Sequence, residues 1–190
     1  MKETYYESKT FKSQDYSETK IRKKEFVDCT FIDCNFANCD FLGTQFIDCE
    51  FNSCNFSLAK FVETGLKNVH FIHSKLMGID FQYCSDFLLA MSFDDCSLEF
   101  TNFYQKKLTN TTFRDCNIEK ADFSEANLTG SSFLDCDLTN AVFDHSILTQ
   151  VDFRTARYYQ IDPSRNTIKK AKFSREGLAG LLYHLDIDID

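Results

Sequence analysis

The chain has little of what usually bends or divides a polypeptide, with one proline, six glycines and no tryptophan in 190 residues. Without a Pro- or Gly-rich stretch, we expect a single domain with no linker. No apolar run approaches the roughly 20 residues of a membrane-spanning helix. Residues 1–21 are polar and charged, unlike a signal peptide. These absences predict a soluble, cytoplasmic protein that does not enter a membrane.

Signatures of catalysis are also missing. The sequence has no Gly-rich phosphate loop, no nucleophile elbow and no paired-histidine metal motif. His70 and His73 fall at outward positions of one repeat and are interpreted as surface residues rather than metal ligands. A regular rod also lacks the concave pocket that small-molecule chemistry normally needs. We therefore expect no enzyme activity, no cofactor and no metal site.

Large apolar residues recur at every fifth position from Phe11 to Phe153. The period holds to Phe81, slips by two residues and resumes at Leu88, giving 29 positions that contain 18 of the 21 phenylalanines. Neither an α-helix (period 3.6) nor a strand (period 2) places a period of five on one face. The pattern predicts a repeat architecture in which five residues form one side of a coil.

Most of the nine cysteines follow the same period. Eight lie two residues before a large apolar position: Cys29, Cys34, Cys39, Cys49, Cys54, Cys96, Cys116 and Cys136. In most other repeats this slot holds Ala, Ser, Thr or Val, so we interpret it as a slot for small side chains in which cysteine behaves as one of them. We favour buried free thiols in a reducing cytosol over disulfides or a metal site, because the spacing does not match paired zinc ligands.

Each repeat reads as a small residue, a short polar residue, a large apolar residue and two polar residues, as in residues 34–38 and 121–125. This motif resembles the consensus of the pentapeptide-repeat proteins. The resemblance implies an all-β solenoid, a right-handed quadrilateral β-helix with four repeats per coil. Residues 11–158 would form about seven coils, spaced about 4.8 Å apart, in a rod about 34 Å long. The large residue and the small residue before it would both point inward and fill the interior.

The ends of the chain are expected to cap this stack, whose terminal coils would otherwise expose open sheet edges. Residues 1–10 are predicted to be an N-terminal cap, with Tyr5 and Tyr6 covering the first coil. Residues 159–190 are predicted to be a C-terminal capping or dimerisation module with Ser174 as a helix N-cap. The slip at residues 82–87 is interpreted as a structural bulge, with a partner-contacting protrusion as the alternative.

Six apolar residues define the predicted dimer interface: Leu178, Leu181, Leu182, Leu185, Ile187 and Ile189. The four leucines have the spacing of one helix face, and the two isoleucines alternate with aspartate after it. A helix stripe followed by an alternating segment is more than sealing one coil requires. We favour a homodimer through the C-terminus, and capping alone remains the alternative.

The net charge of −8 is unevenly distributed. Residues 26–153 hold 19 Asp or Glu against 7 Lys or Arg, a balance of −12, whereas each end is slightly basic. Such an acidic rod could be steered into a basic groove that normally holds DNA, and it would not bind nucleic acid itself. The predicted contacts are acids at outward repeat positions: Asp94, Asp95, Glu99, Asp115, Glu119, Glu125, Asp135 and Asp144.

Within the family, the chain looks similar to the topoisomerase-protecting members of the microcin-immunity and quinolone-resistance types. The likeness lies in its length, its lack of long loops and the segment Ile161-Asp162-Pro163. It implies a dimer that mimics DNA at DNA gyrase and protects the enzyme from a quinolone or a peptide poison. The chain lacks the projecting loops of the plasmid quinolone-resistance members. A general interaction scaffold with an unrelated protein partner is the alternative function.

Overall fold

The computed structural model describes residues 3–185 and 187–188. The chain winds as a β-solenoid whose short strands are β1 (Tyr5–Glu7), β2 (Thr10–Lys12), β3 (Glu25–Val27), β4 (Thr30–Ile32), β5 (Gln45–Ile47), β6 (Glu50–Asn52), β7 (Gly65–Lys67), β8 (Val69–Ile72), β9 (Met91–Asp94), β10 (Thr112–Arg114) and β11 (Ser132–Leu134). Three short 3₁₀ helices complete the regular structure: η1 (Phe81–Tyr83), η2 (Leu178–Leu181) and η3 (Tyr183–Leu185).

The strands form two parallel sheets, in the orders β1-β3-β5-β7 and β2-β4-β6-β8-β9-β10-β11. Paired residues are 20 positions apart, as in Phe113 with Phe133. The interval is 22 only across the slip, where Phe71 pairs with Phe93. Isolated bridges with the same 20-residue interval join the other two sides, as between Asn35 and Asn55. Four repeats therefore make one coil, which confirms the solenoid predicted from the period, and the seven-stranded sheet spans six coil steps.

The solenoid has four faces, which we number in chain order. Each face consists of an inward central residue, the residue before it and the two after it in every coil. The central residues are Phe26, Phe46, Leu66, Leu108, Leu128 and Leu148 on face 1; Phe31, Phe51, Phe71, Phe93, Phe113, Phe133 and Phe153 on face 2; Phe36, Phe56, Leu76, Leu98, Ile118 and Leu138 on face 3; and Phe41, Phe61, Phe81, Phe103, Phe123 and Phe143 on face 4. Faces 2 and 4 are opposite each other.

The core consists of stacked rings. Phe113 lies between Phe93 and Phe133 with centroid distances of 5.1 and 4.7 Å, and it meets Phe103 of face 4 edge-on at 6.2 Å. Such offset and edge-to-face contacts are favourable geometries for aromatic rings. Beyond Phe61, phenylalanine occupies faces 2 and 4, because Phe alternates with Leu or Ile at the central positions along the chain. The large aliphatic side chains of faces 1 and 3 fill the space between the two ring columns.

The small residue two positions before each central residue also points inward. All nine cysteines are buried, as expected for the eight that occupy this slot. Burial raises the pKa of Cys39 to about 11 and that of Cys49 to about 12. Cys39 and Cys49 therefore stay protonated at neutral pH, and a protonated thiol is a poor nucleophile and metal ligand. The side chains are instead used locally, since the Cys54 thiol lies 3.5 Å from the Phe31 carbonyl oxygen of the preceding coil.

The two extra residues of the slip leave the coil between Ser85 and Ala90, a segment that we call the 85–90 loop. Ser85 still donates to the Thr64 carbonyl, and Ala90 donates to the Leu66 carbonyl. The prediction that Leu88 resumes the inward series is wrong, because its side chain is 65% exposed. Leu89 packs against the core instead. The insertion shifts the inward position by one residue in this coil alone.

The N-terminal prediction also needs correction. Tyr6 does not cover the first coil but belongs to it, since β1 pairs in register with β3 and the Tyr6 ring stacks on Phe26 at 5.0 Å. Tyr6 stands five residues before Phe11 and therefore continues the period. Tyr5 points outward and is exposed.

At the C-terminus, the stack continues to Phe173, whose ring lies 5.3 Å from Phe153. The expected single helix is replaced by η2 and η3, although Ser174 does accept a hydrogen bond from the Gly177 amide. Glycine disfavours an α-helix, and a Cβ at Gly180 would lie 2.2 Å from the Tyr159 carbonyl oxygen. The close packing of Gly180 on Tyr159 therefore replaces the expected α-helix. Within the described residues, no helix has the length and apolarity to cross a bilayer.

Candidate partner-binding surface

The acidic charge of the solenoid is concentrated on two opposite faces. Between residues 26 and 153, face 2 carries seven acids and one base, and face 4 carries six acids and one base. Face 3 carries three acids and two bases, and face 1, counted with the 85–90 loop and the buried Lys106 beneath it, carries three of each. The balances are therefore −6 and −5 on faces 2 and 4, against −1 and 0 on the other two.

The structure distributes the eight predicted contact acids over three faces. Asp94, Asp95, Asp115 and Asp135 lie on face 2, Glu99 and Glu119 on face 3, and Glu125 and Asp144 on face 4. The last three of the face 2 acids form one column, because each occupies the same corner position in successive coils. Their carboxylates are therefore repeated at about the 4.8 Å strand spacing.

The acids differ in how far their charge is compensated. On face 4, the Arg165 guanidinium lies 2.6 Å from Asp144; although desolvation acts in the opposite direction, contacts with His145 and Arg165 lower the pKa of this carboxyl. Hydrogen bonds from Gln105 and Tyr104 lower the pKa of Glu125.

On face 2, His73 lies 2.8 Å from Asp95. Arg114 lies 3.7 Å from Asp94. Within the described chain, the carboxylates of Asp115 and Asp135 make no ion pair or hydrogen bond. These two are the most available anions of the predicted set.

Sequence reasoning missed further acids that share these two faces. They are Asp33, Glu50 and Asp152 on face 2, and Asp40, Glu63, Asp80 and Asp122 on face 4. Asp40 and Asp152 are paired with Arg22 and Arg154, so they contribute less free charge. Sorting the sequence by its 20-residue period, with the two-residue shift, would have revealed the segregation.

A second surface feature is the 85–90 loop, which the distribution of acidic residues does not predict. Phe87 and Leu88 are 68% and 65% exposed, and Tyr83 beside them is 58% exposed. The Lys67 ammonium lies 5.0 Å from the centre of the Phe87 ring, a cation–π distance. Lys106, in a slot that holds small residues elsewhere, is buried beneath the loop and donates to the Cys84 carbonyl and the Asp86 carboxylate. The loop is therefore anchored from two coils while its apolar side chains face solvent.

The predicted dimer residues form an exposed group, with one exception. Leu178, Leu182, Leu185 and Ile187 are 37–54% exposed, whereas Leu181 packs against the core. Ile189 lies outside the described residues. Tyr183, 49% exposed, extends the apolar group.

Comparisons with known proteins agree with the geometry. The fold and the 20-residue register define a β-solenoid of five-residue repeats. The model of the "Pentapeptide repeat region" family matches residues 44–123 and 107–182, and that of "Pentapeptide repeats (8 copies)" matches residues 25–61. The chain belongs to the pentapeptide-repeat family. Comparison with curated protein sequences gives no significant match.

Two solved structures support the same fold. Two trypsin-treated variants of QnrB1, a plasmid-mediated fluoroquinolone resistance protein, superpose with TM-scores of 0.57 and 0.62 at 17% and 20% identity. The alignments cover 98% of this chain in both cases and 100% and 91% of the QnrB1 chains. HetL, involved in heterocyst differentiation regulation in Nostoc sp. strain PCC 7120, has a TM-score of 0.40 at 13% identity, covering 87% of each chain.

Proposed function

We propose that this protein is a non-enzymatic DNA mimic that binds DNA gyrase or another type II topoisomerase and protects it from a poison, or modulates it. The observation that carries the proposal is the segregation of acidic charge onto faces 2 and 4, with balances of −6 and −5. Duplex DNA likewise presents two lines of negative charge along a rod. The abundance of buried cysteines fits action in the cytosol.

Charge density makes the mimicry quantitative. The body carries −12 over roughly 34 Å, or about one charge per 3 Å, compared with one per about 1.7 Å in duplex DNA. A groove lined by Lys and Arg would attract this rod and could hold it in place of a DNA segment. The rod itself would repel DNA.

Likeness to QnrB1 supports the choice of partner, since that protein confers fluoroquinolone resistance. This chain differs from the plasmid quinolone-resistance members because its described coils carry no long projecting loop. The 85–90 loop is the one insertion in these coils. We therefore propose topoisomerase binding without assigning the poison, which could be a quinolone or a peptide.

The test compares matched corner residues on an acidic and a neutral face. Asp115→Asn with Asp135→Asn removes two charges from face 2, and Asp28→Asn with Asp48→Asn removes two from face 1. All four aspartates have φ between 50° and 56°, a region that asparagine tolerates. We expect the face 2 variant to lose inhibition of supercoiling by purified gyrase from the source organism, or to lose protection against a poison. The face 1 variant should retain the effect.

Binding should also weaken steeply with salt, as for a ligand that replaces phosphates. If the wild-type protein at micromolar concentration neither inhibits nor protects gyrase, the proposal is wrong.

The second candidate is a general interaction scaffold, and the exposed aromatic and aliphatic side chains around the 85–90 loop favour it. Apolar contacts are less sensitive to salt than ion pairs. Partner binding that survives high salt and the face 2 substitutions, but fails on Phe87→Ser, would support the scaffold. Loss on the face 2 substitutions alone would support the DNA mimic.

A further inference from the structure

The last residue of each repeat turns the corner of the solenoid in the left-handed backbone region. Twenty-seven non-glycine residues have positive φ, between 49° and 61°. Asn, Asp and Gly adopt this conformation most readily, whereas large apolar side chains disfavour it. Nearly all of these corner residues are accordingly polar. The exceptions are Leu58, Leu88, Phe100 and Tyr158.

Two of these exceptions share a single corner, between faces 3 and 4. The Leu58 amide donates to the Met77 carbonyl, and the Gly78 amide donates to the Glu99 carbonyl, so Leu58, Gly78 and Phe100 stack in successive coils. Gly78 provides room for its neighbour, because a Cβ there would lie 2.7 Å from Leu58 Cδ2. We call Leu58, Met77 and Phe100 the apolar ridge.

The ridge is costly for the fold in two ways. Leu58, Met77 and Phe100 are 57%, 41% and 54% exposed, so their apolar surface stays largely in water. Leu58 and Phe100 also occupy the backbone region that suits them least, with φ of 59° each. Polar residues fill the corner position throughout most of the solenoid, so folding does not require large apolar ones. Backbone strain combined with exposed apolar surface is typical of recognition sites.

Acidic groups border the ridge on both sides around Met77 and Phe100, whereas Lys60 occupies the face 4 edge beside Leu58. Glu99 and Glu119 lie beside it on face 3, and Asp80 and Asp122 lie beside it on the edge of face 4. The Lys120 ammonium lies 5.1 Å from the Phe100 ring centre at one end. The complementary partner surface is therefore an apolar depression bordered by Lys or Arg. The ridge is also continuous with the acidic face 4.

We propose that the apolar ridge is an anchor for the protein partner of the acidic faces, bound in an apolar depression beside the partner's basic groove. The inference rests on the proposed function and deepens it. Charge alone would direct the rod to any DNA-binding groove, because charge complementarity sets orientation and association rate more than selectivity among similar grooves. DNA offers no apolar ridge of this kind, so the anchor lets one partner be distinguished from other DNA-binding proteins.

The test uses Leu58→Asn with Phe100→Asn in the full chain, with purified gyrase as the probe. Asparagine relieves the corner strain, so the melting temperature should stay the same or rise by about 2–4 °C. Binding should nevertheless weaken about tenfold or more. The loss should be equal at about 50 mM and about 200 mM salt, because it removes no charge. Tyr158→Asn is the matched control, with φ of 61° and 67% exposure away from the ridge, and should bind normally.

Several outcomes would overturn the anchor. Unchanged binding of the ridge variant would overturn it, and so would an equal loss of binding in Tyr158→Asn. A lower melting temperature of the ridge variant would show that the residues serve folding instead. If the face 2 variant fails to bind while the ridge variant binds normally, the proposed function stands and the anchor does not. If neither variant affects binding, both are wrong.

Discussion

The Lys106 ammonium donates a hydrogen bond of 2.8 Å to the Cys84 carbonyl oxygen, although Lys106 occupies a slot that takes Cys, Ala, Ser or Thr in most other repeats. The lysine side chain is 4% exposed. It reaches across one coil into the place where the two inserted residues leave the regular path. The long side chain thus supplies volume and a donor where the insertion has removed both.

Lys106→Ala should therefore destabilise the fold. The variant leaves the Cys84 carbonyl without its donor, which costs about 1–3 kcal/mol, and it also loses packing around the lysine stem. We expect a lower urea midpoint with an unchanged slope. The adjacent, exposed Lys107 is the control, and Lys107→Ala should change stability by less than about 0.5 kcal/mol. Equal stability of the two variants would contradict this anchoring role.

The small inward slot should accept a hydroxyl more readily than extra volume. In Cys54→Ser, the new hydroxyl can donate to the Phe31 carbonyl as the Ser74 hydroxyl does to Phe51 at 3.2 Å in the next coil. We expect a change within about 1 kcal/mol. Cys54→Leu overpacks the core and should cost about 1–3 kcal/mol or more. Chemical denaturation of both variants decides the point, and a tolerated leucine would show that the interior is not closely packed.

Much of the fold could be predicted from the sequence, because one inward residue in five fixes the coil and the faces. The errors arise where local packing overrides the period. Leu88 was placed inward by extending the pattern through an insertion, which in fact puts Leu89 at the core. The C-terminal helix was expected from leucine spacing, but Gly177 and Gly180 fit against Tyr159, a long-range contact that spacing does not reveal.

The candidate surface was only partly predictable for a related reason. Net charge and outward positions follow from the period, so the acidic body was evident from the sequence. Assigning each acid to a face requires the coil length and the position of the slip. The strain at Leu58 and Phe100 depends on backbone angles at the corners, which composition alone does not indicate.

Acid should remove the contribution of the Arg22–Asp40 pair to stability. The hydrogen bond from Arg22 lowers the pKa of Asp40 in the folded state. A lowered pKa means that the stabilisation is present above the unfolded value of about 3.9 and is lost as the pH falls through the folded value. We expect the free energy of unfolding of wild type to exceed that of Asp40→Asn by about 0.5–1 kcal/mol at neutral pH. This gap should shrink as the pH falls from about 3.9 through the lowered folded pKa.

The control for this pH effect is Asp115→Asn, since Asp115 makes no ion pair in the described chain. Its difference from wild type should be small at both pH values. Urea titrations at each pH measure both gaps. A gap for Asp40→Asn that persists at low pH would show that the pair stabilises the fold other than through ionisation.

The C-terminal apolar group gives a test of the proposed homodimer. Leu182 and Leu185 are 37% and 51% exposed, so Leu182→Asp and Leu185→Asp should leave the folded chain intact. If these residues form the interface, a buried unpaired charge would prevent association, and light scattering should report a monomer with the wild-type melting temperature. Leu181→Asp is the contrasting variant, because Leu181 packs against the core and its substitution should lower the melting temperature. If the wild-type protein is already monomeric, the dimer proposal is wrong and the exposed leucines only cap the solenoid.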